Sequence, residues 1–504
     1  MDWRRALVHG VAKVLRIRNE APAFEAAGTG RRLAGWLPGG RGPNDALLGS
    51  LSLLRDRSRG AARNDGVAAA IVTKLVSNLV GSGLRPLSQA PGRAFQASVQ
   101  QAWARWTLES DPERLLSLYG QQSLVTRAWL EGGETFIRLR ARRPEDGLSV
   151  PLQLQIIEPE LCPVSHNATN AGNRIRAGIE FSPIGRRAAY WMYRQRPGDL
   201  QDMDVSQLVR VPADGVLHVY DVMRPGQIRG LPHLTRAIIR IHELDQYDDA
   251  TLVRVKLANM FAGFVTTPVG TNSAGETTDP ITGGVLVRDA SGRGEIALEP
   301  GTFHGLAPGE EVTFNDPPDA GNTYEPFMAQ QLRAAAIAAD VPYEVLTGDM
   351  RAVNDRTVRV ILNEFRRRLE QVQAQLLVDR FCRPVFDAWF DAAFIAGVLT
   401  PPAAYLDDPE PWRRVRWQGQ RWPYIQPVQD VEATRNEIRA GLTSLSAEII
   451  ERGEDPDDVF AQIAADNARL DALGIRVDSD GRRPLSGKGA GGEEPTPANG
   501  AASA

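Results

Sequence analysis

The chain has 504 residues, of which 58 are Lys or Arg and 62 are Asp or Glu, so its formal net charge is −4. This length exceeds what one hydrophobic core can organise, so several domains are expected. The near balance of charge argues against a global basic field of the kind that binds nucleic acid in bulk. Two widely separated cysteines, Cys162 and Cys382, predict buried reduced thiols and no disulfide scaffold.

Hydrophobic patterning predicts neither a signal peptide nor a membrane span. Residues 3–18 carry charge throughout, and the most apolar run, residues 67–84, is interrupted by Lys74 and Asn78. We therefore expect a soluble protein that works without a membrane.

The first part of the chain is predicted to be an arm followed by helices. Residues 1–43 are basic and Gly-rich and are expected to be flexible. Arg31, Arg32 and Trp36 could dock on a neighbour or on phosphate, although a solvated tail with one anchoring Trp is favoured on the residues alone. Apolar residues at helical spacing then predict two helices between residues 44 and 84.

Residues 101–200 mix helical and strand patterns, which predicts an α+β body. Trp103 and Trp106 lie on one helical face and are expected in the core rather than as a base-stacking platform. Alternating or β-rich segments predict strands at residues 134–140, 152–157, 178–185, 188–193 and 216–220, of which the third and fourth are expected to form a hairpin.

A long helix predicted at residues 234–261 carries Glu243 and three aspartates, Asp245, Asp248 and Asp249, that share one arc. Hard cations bind carboxylates, so a metal-dependent nuclease site is one interpretation. A solvated acidic face is the favoured one.

The next segment, residues 265–323, is rich in Gly, Pro, Thr and Asp and predicts a β-rich insertion between two helices. Its expected short strands lie at residues 284–288, 296–298 and 311–314. A disordered linker is the alternative, which the alternating apolar residues disfavour.

Residues 324–399 predict a helix, an exposed loop and a long helix. The first helix spans residues 326–340 and is stopped by Pro342, while Asn354 or Asp355 begins the second. An apolar stripe at spacings of four and three predicts that the second helix packs on helices, and Pro384 is expected to kink or end it. The stripe comprises Val358, Leu362, Phe365, Leu369, Val372 and Leu376.

The C-terminal part predicts a strand, then helices, then a tail. Arg and aromatic residues alternate at residues 412–417 and 421–424, which could serve single-stranded nucleic acid, but a strand with Trp inside and Arg outside is favoured. Three short helices are expected, separated at Gly441 and Gly453, with Asp455 capping the last. Residues from 478 onward are expected to be disordered.

Motifs of nucleotide, zinc and serine-nucleophile sites are missing. Gly487-Lys488 is followed by Gly, His242-Glu243 lacks the second His of a zincin helix, and no Gly-x-Ser-x-Gly occurs. An enzyme and a bound cofactor are therefore poorly supported.

Several strings resemble one family in combination. Residues 343–356 match its loop-and-helix signature at Tyr343, Glu344, Leu346, Gly348, Asp349, Asn354 and Arg356. Further matches are GRRLAGW at residues 30–36, RPGQIRGLP at residues 224–232, and the segments 424–433, 441–445 and 448–456. Together they are similar to the lambda-type family of tailed-bacteriophage portal proteins.

The resemblance implies an α+β portal fold with a wing, a helical stem, a small β-rich clip, a tunnel helix and a helical crown. The implied segments are arm 1–43, wing 44–231, stem helix 232–264, clip 265–323, second stem helix 324–341, tunnel loop 342–356, tunnel helix and further wing 357–424, crown 425–476 and tail 477–504.

The resemblance also implies a function and its site residues. The chain would form a ring, dodecameric by analogy with the family, at one capsid vertex of the virion after assembly in the host cytoplasm, as the channel for packaging and ejecting double-stranded DNA. Expected partners are the terminase large subunit, a head-completion adaptor, and the major capsid and scaffolding proteins. Asp245, Asp248 and Asp249 would face the channel. The loop at its narrowest part would be Thr347, Gly348, Asp349, Met350, Arg351, Ala352, Val353 and Asn354. A metal-dependent DNA-processing enzyme acting through residues 243–249 is the alternative.

Overall fold

The computed structural model describes residues 39–195, 207–260, 264–266, 311–313, 321–351, 353–420, 422, 426–475 and 477. Most of the predicted arm, the predicted strands at 284–288 and 296–298, most of the aromatic segment 421–424 and the predicted tail therefore lie outside the described residues. None of the helices in the described ranges has the length and apolar character that crossing a membrane requires.

Helices alternate with short strands along the chain. The described α-helices are α1 Pro43–Leu48, α2 Leu51–Asn64, α3 Gly66–Leu79, α4 Arg93–Trp106, α5 Leu118–Gly132, α6 Ile238–Met260, α7 Gly321–Ala338, α8 Tyr343–Thr347, α9 Asp355–Val372, α10 Arg383–Ile395, α11 Ala404–Asp407, α12 Glu410–Arg413, α13 Pro427–Arg439, α14 Leu445–Glu451 and α15 Pro456–Ala472. The described strands are β1 Arg85–Ser88, β2 Glu134–Ala141, β3 Leu152–Ile157, β4 Ala168–Asn170, β5 Asn173–Arg176, β6 Ile179–Phe181, β7 Arg187–Tyr193, β8 Leu208–Pro212, β9 Val216–Tyr220, β10 Phe264–Thr266, β11 Glu311–Thr313 and β12 Val415–Gln418.

The strands form small antiparallel sheets. Three strands pair in the order β3-β2-β9, and five pair in the order β4-β5-β6-β7-β8. The predicted hairpin is confirmed, because β6 pairs antiparallel with β7. Strand β1 pairs with β12 from Arg85–Gln418 to Ser88–Val415. This last pairing joins segments more than three hundred residues apart into one body.

The main core lies between the three-stranded sheet and the surrounding helices. Trp103 and Trp106 are buried, as predicted, and Trp103 packs against Trp389 of α10 with ring centroids 4.9 Å apart. The Trp106 indole N–H donates to the carbonyl of Leu152 at 2.8 Å, which satisfies its polar atom inside the core. A second, smaller core lies under the five-stranded sheet. Both cysteines are buried and free, which confirms that prediction.

The N-terminal region contains three helices, whereas two were predicted. Helix α1 ends at Gly49 and α2 begins after Ser50, whose backbone accepts the first helical hydrogen bond from Leu54. The side chain of Asp65 then caps α3 by accepting from the Ala68 N–H at 2.8 Å. The break lies at Gly49, and glycine is unfavourable inside a helix. The apolar spacing alone does not show this break.

The long helix does not end at Pro384, so of the two predicted outcomes, a kink or an end, the end is excluded. A π-helical stretch, Gln373–Cys382, follows α9, and the chain stays helical as α10 to Ile395. Pro384 is the second residue of α10 and directly follows the π-helical stretch, so it removes one backbone hydrogen bond without ending the helix. Along α9, Phe365 and Leu369 are buried whereas Leu362 is half-buried, so the predicted stripe is confirmed but is shallower at its start.

Other boundaries also differ from the predictions. Helix α7 begins at Gly321, before the predicted start, so Pro326 lies inside it and removes one backbone hydrogen bond. The predicted loop 342–356 contains the short helix α8. Trp412 lies in α12, and the strand predicted around it is limited to Val415–Gln418. The three C-terminal helices are confirmed, and Asp455 caps α15 through the Asp457 N–H at 2.9 Å.

Candidate functional site

The predicted tunnel loop lies between two well-defined helix ends. Gly348 follows α8 with φ +74°, a left-handed conformation that a glycine adopts without strain. Asn354 begins α9, because its side-chain oxygen accepts from the Thr357 N–H at 3.0 Å. The structure thus selects Asn354 over Asp355 as the cap. Thr347 and Met350 are exposed between these ends, and Ala352 lies outside the described residues.

Arg351 holds the loop by binding two carboxylates. Its Nε and Nη2 donate to Asp349 at 2.9 Å each, and its Nη1 lies 2.7 Å from Glu325 Oε1 on α7. The hydrogen bonds from Arg351 hold the pKa of Asp349 well below its usual range, and they raise the pKa of Arg351. The loop therefore presents a compensated charge, tied to the helix that precedes it.

The acidic residues on α6 do not act as a group. Asp245 and Asp249 are exposed, as is Glu243, whereas Asp248 is half-buried and accepts a hydrogen bond from the Tyr324 hydroxyl of α7. That hydrogen bond raises the pKa of Tyr324 to about 12. Asp248 thus contributes to the packing of α6 on α7. Across the part of the chain that the structure describes, no three His, Cys, Asp or Glu side chains are grouped so that they could hold a metal ion.

Sequence reasoning missed a buried ionic network at the base of α6. Glu134, fully buried at the start of β2, accepts from Arg55 of α2, from Arg229 Nε at 2.6 Å and from the Gly230 N–H at 2.8 Å. His218 of β9 completes it, with Nε2 2.8 Å from Glu134 Oε2. The signal was present, because an acidic residue occupies an inward position two residues before buried Phe136.

The network is ionised, except at its histidine. Burial alone would raise the pKa of Glu134, but Arg229 and Arg55 overcome it and lower that pKa well below its usual range. Arg187 Nη1 lies 2.8 Å from His218 Nδ1, and because arginine only donates, Nδ1 must accept. The imidazole is therefore neutral and donates its Nε2–H to Glu134. Burial lowers the pKa of His218 to about 3, in agreement with that tautomer.

Arg229 ties this network to the entrance of the long helix. Its guanidinium donates to the carbonyls of Cys162 at 3.0 Å and Ala177 at 2.6 Å, so it crosses from the small core to β2. The adjacent Gly230 approaches Gly133 so closely that an added Cβ would lie 2.0 Å from a backbone oxygen. This segment belongs to the RPGQIRGLP string, which therefore fixes the path of the chain into α6.

The neutral state of His218 predicts a dependence of stability on pH. The folded pKa is about 3 against an ordinary value of 6.5, so its contribution is complete above pH 6.5 and is lost as the pH falls towards 3. We expect the free energy of unfolding to decrease between neutral pH and about pH 5, measured by urea titration. His218→Gln keeps an acceptor for Arg187 and a donor for Glu134 but cannot titrate. In this variant the free energy of unfolding should fall less steeply with decreasing pH, by up to the slope that one bound proton contributes. A slope equal to that of the wild type would contradict the assignment.

Comparison with known proteins identifies the class and then the family. A model described as phage portal protein, lambda family, matches residues 29–373, which is more than half of the chain. The chain is thus a phage portal protein. Within that class, it belongs to the lambda family of portal proteins, and the resemblance predicted from its motifs is confirmed.

Individual relatives carry the same description. A probable portal protein of Halomonas phage phiHAP-1 is 27% identical over 448 residues, covering 84% of this chain and 81% of the relative. The portal protein of Escherichia phage N15 is 23% identical, with 89% and 90% covered. Portal protein B of Escherichia phage lambda is 22% identical with the same coverage. A solved neck of a native gene transfer agent particle, computed with C12 symmetry, has a TM-score of 0.43 and 15% identity, covering 85% of this chain and 99% of that chain.

Proposed function

We propose that this chain assembles into a ring of twelve at one vertex of a phage capsid, as the channel for packaging and ejecting double-stranded DNA. The observation that carries the proposal is a set of large apolar side chains that the α6–α7 pair leaves exposed. Ile239, Leu252 and Val253 of α6 are 71%, 50% and 52% exposed, and Ile337 of α7 is 77% exposed. Exposed apolar side chains at both ends of this helix pair support a neighbouring subunit that covers them.

The helix pair is the stem of this proposed ring. The two helices run antiparallel, since Arg240 donates to Gln331 while Tyr247 packs on Phe327 with ring centroids 4.8 Å apart. At the far end of the pair, β10 pairs with β11 and closes a ribbon. The proposed boundaries are stem helices 232–264 and 324–341, clip 265–323, wing 44–231 with 357–424, and crown 425–476.

The channel surface is proposed to combine exposed acidic residues with the compensated loop. Asp245 and Asp249 would face the DNA from the stem, whereas Asp248 is engaged with Tyr324. The loop 347–354 would lie at the narrowest part. Negatively charged channel walls repel phosphate. An arginine that is already bound by two carboxylates attracts phosphate only weakly. Such a surface lets DNA move without holding it.

The clip is proposed to contact the terminase large subunit during packaging and a head-completion adaptor afterwards. The wing and crown would contact the major capsid and scaffolding proteins. Residues 267–310 of the proposed clip connect the two paired strands β10 and β11, so a short turn can replace them.

Replacing residues 267–310 by Asn-Gly tests the ring and the docking surface together. Thr266 and Glu311 are opposite each other in antiparallel register, so a two-residue turn can join them. We expect rings with a central hole for both the wild type and this variant in negative-stain images. Binding of the terminase large subunit should weaken by at least about tenfold in the variant.

The matched control shortens a different loop. Tyr193 and Leu208 are also opposite each other, in β7 and β8, so residues 194–207 can be replaced by the same turn. This control should form rings and bind terminase normally. Wild-type protein that forms no rings would contradict the assembly, and a clip variant that forms rings and binds terminase normally would contradict the docking assignment.

A further inference from the structure

Three arginines form a row on one face of β2 and its continuation. Arg138 and Arg140 alternate with inward residues in the strand, and Arg142 extends the ladder by donating its N–H to the Pro151 carbonyl at 2.9 Å. The same face begins with buried Glu134 and Phe136, and it leaves the small core at Arg138, which is exposed. Successive members are about 6.8 Å apart along an antiparallel strand.

The row has no compensating carboxylate in the described part of the chain. The residues opposite Arg138 are Gln155 on β3 and Val216 on β9, and Gln153 is opposite Arg140. Burial, then repulsion from Arg142 and Arg138, lowers the pKa of Arg140. Like charges that repel one another in a fixed row are stabilised when an anion binds across them.

The third arginine is oriented by a buried side chain. Arg142 Nε donates to Gln153 Oε1 at 2.7 Å, and Gln153 is only 5% exposed. Gln153 Nε2 in turn donates to the carbonyl of Glu109 at 2.9 Å. Arg142 is therefore held in line with the row by a rigid support, which reduces the entropy lost when a ligand binds.

We propose that Arg138, Arg140 and Arg142 form a nucleic-acid-binding surface that contacts consecutive phosphates of one DNA strand. Guanidinium groups bind phosphate oxygens bidentately, and the spacing of the row is similar to that of neighbouring phosphates along a strand. The neutral, half-buried Gln155 adds polar atoms to this surface and provides no apolar anchor of the kind that a protein partner requires. Naming DNA as the polymer rests on the proposed function; the anion site does not.

The test measures binding of covalently closed circular duplex DNA, which cannot thread through a closed ring. The Arg138→Gln/Arg140→Gln variant is compared with an Arg174→Gln/Arg176→Gln control, which removes two exposed arginines at the same spacing from β5. We expect the first variant to bind about tenfold more weakly at low salt and to lose about two from the slope of log K against log salt. The control should match the wild type.

Three outcomes would overturn the proposal. Unchanged binding by the β2 variant would remove the row from the contact, and equal losses in both variants would reduce the effect to net charge. Polyglutamate that binds the wild type more tightly than DNA, and loses binding in the β2 variant, would show an acidic protein partner instead. Negative-stain images of the same preparations report ring formation separately, so a failure of the ring is distinguished from a failure of the row.

Discussion

Glu134→Gln is expected to destabilise the protein by about 3–5 kcal/mol, because it leaves buried positive charge without its counter-ion. Arg229 is fully buried and Arg55 is 3% exposed, and both bind this one carboxylate. Burial lowers the pKa of Arg55, so the charge on Arg55 depends on the carboxylate. Burial would also lower the pKa of Arg229, but the charge of Glu134 outweighs it and raises that pKa. Guanidinium denaturation should show an earlier unfolding midpoint.

The matched control for this variant is Glu160→Gln. Glu160 accepts from Arg59 at 2.7 Å and 3.0 Å, but both side chains reach solvent. Solvated pairs contribute about 0–1 kcal/mol, so this variant should unfold close to the wild type. Because Arg229 lies just before α6, partial unfolding of Glu134→Gln should also expose that junction to proteolysis. A Glu134→Gln protein as stable as Glu160→Gln would show that the network does not hold the fold together.

Asp349→Arg is expected to leave the ring intact and to impair DNA packaging or retention strongly. In the wild type, Asp349 and Arg351 cancel within the loop, and Glu325 binds the same guanidinium. The substitution replaces this neutral pair with two positive charges in every subunit. A ring of such loops would neutralise many phosphates and resist the movement of DNA. Packaged DNA per particle, measured in an in vitro packaging reaction, is the readout.

Two further variants separate charge from folding. Asp349→Asn removes the acidic partner without adding a cation, so its packaging defect should lie between the wild type and Asp349→Arg. Leu369→Asp places a charge in the main core, since Leu369 is 2% exposed, and should prevent folding. Leu362→Asp should impair folding less, because Leu362 is half-buried. A disrupted ring in Asp349→Arg, or normal packaging by an intact one, would contradict the tunnel-loop assignment.

The sequence by itself determined features whose cause lies within a few residues. Asp455 caps a helix because its side chain reaches an N–H group two residues ahead, and the β6–β7 hairpin follows from neighbouring strands. The same local rule limited the start of α9 to Asn354 or Asp355, between which the structure selects Asn354. The family was also recognisable, because its motifs are short strings. The positions of Gly348 and of the apolar stripe on α9 follow from the same local rules.

Only the tertiary structure decided features that join distant segments. In the sequence, Glu134 is distinguishable only as one residue of a predicted strand. In the structure, Arg55, His218 and Arg229 bind it from three other parts of the chain. Asp248 resembles its exposed neighbours until Tyr324 reaches it across the helix pair. Such partners are selected by burial, since a charge removed from water requires a compensating group wherever the fold supplies one. Local periodicity carries no information about which distant residue that will be.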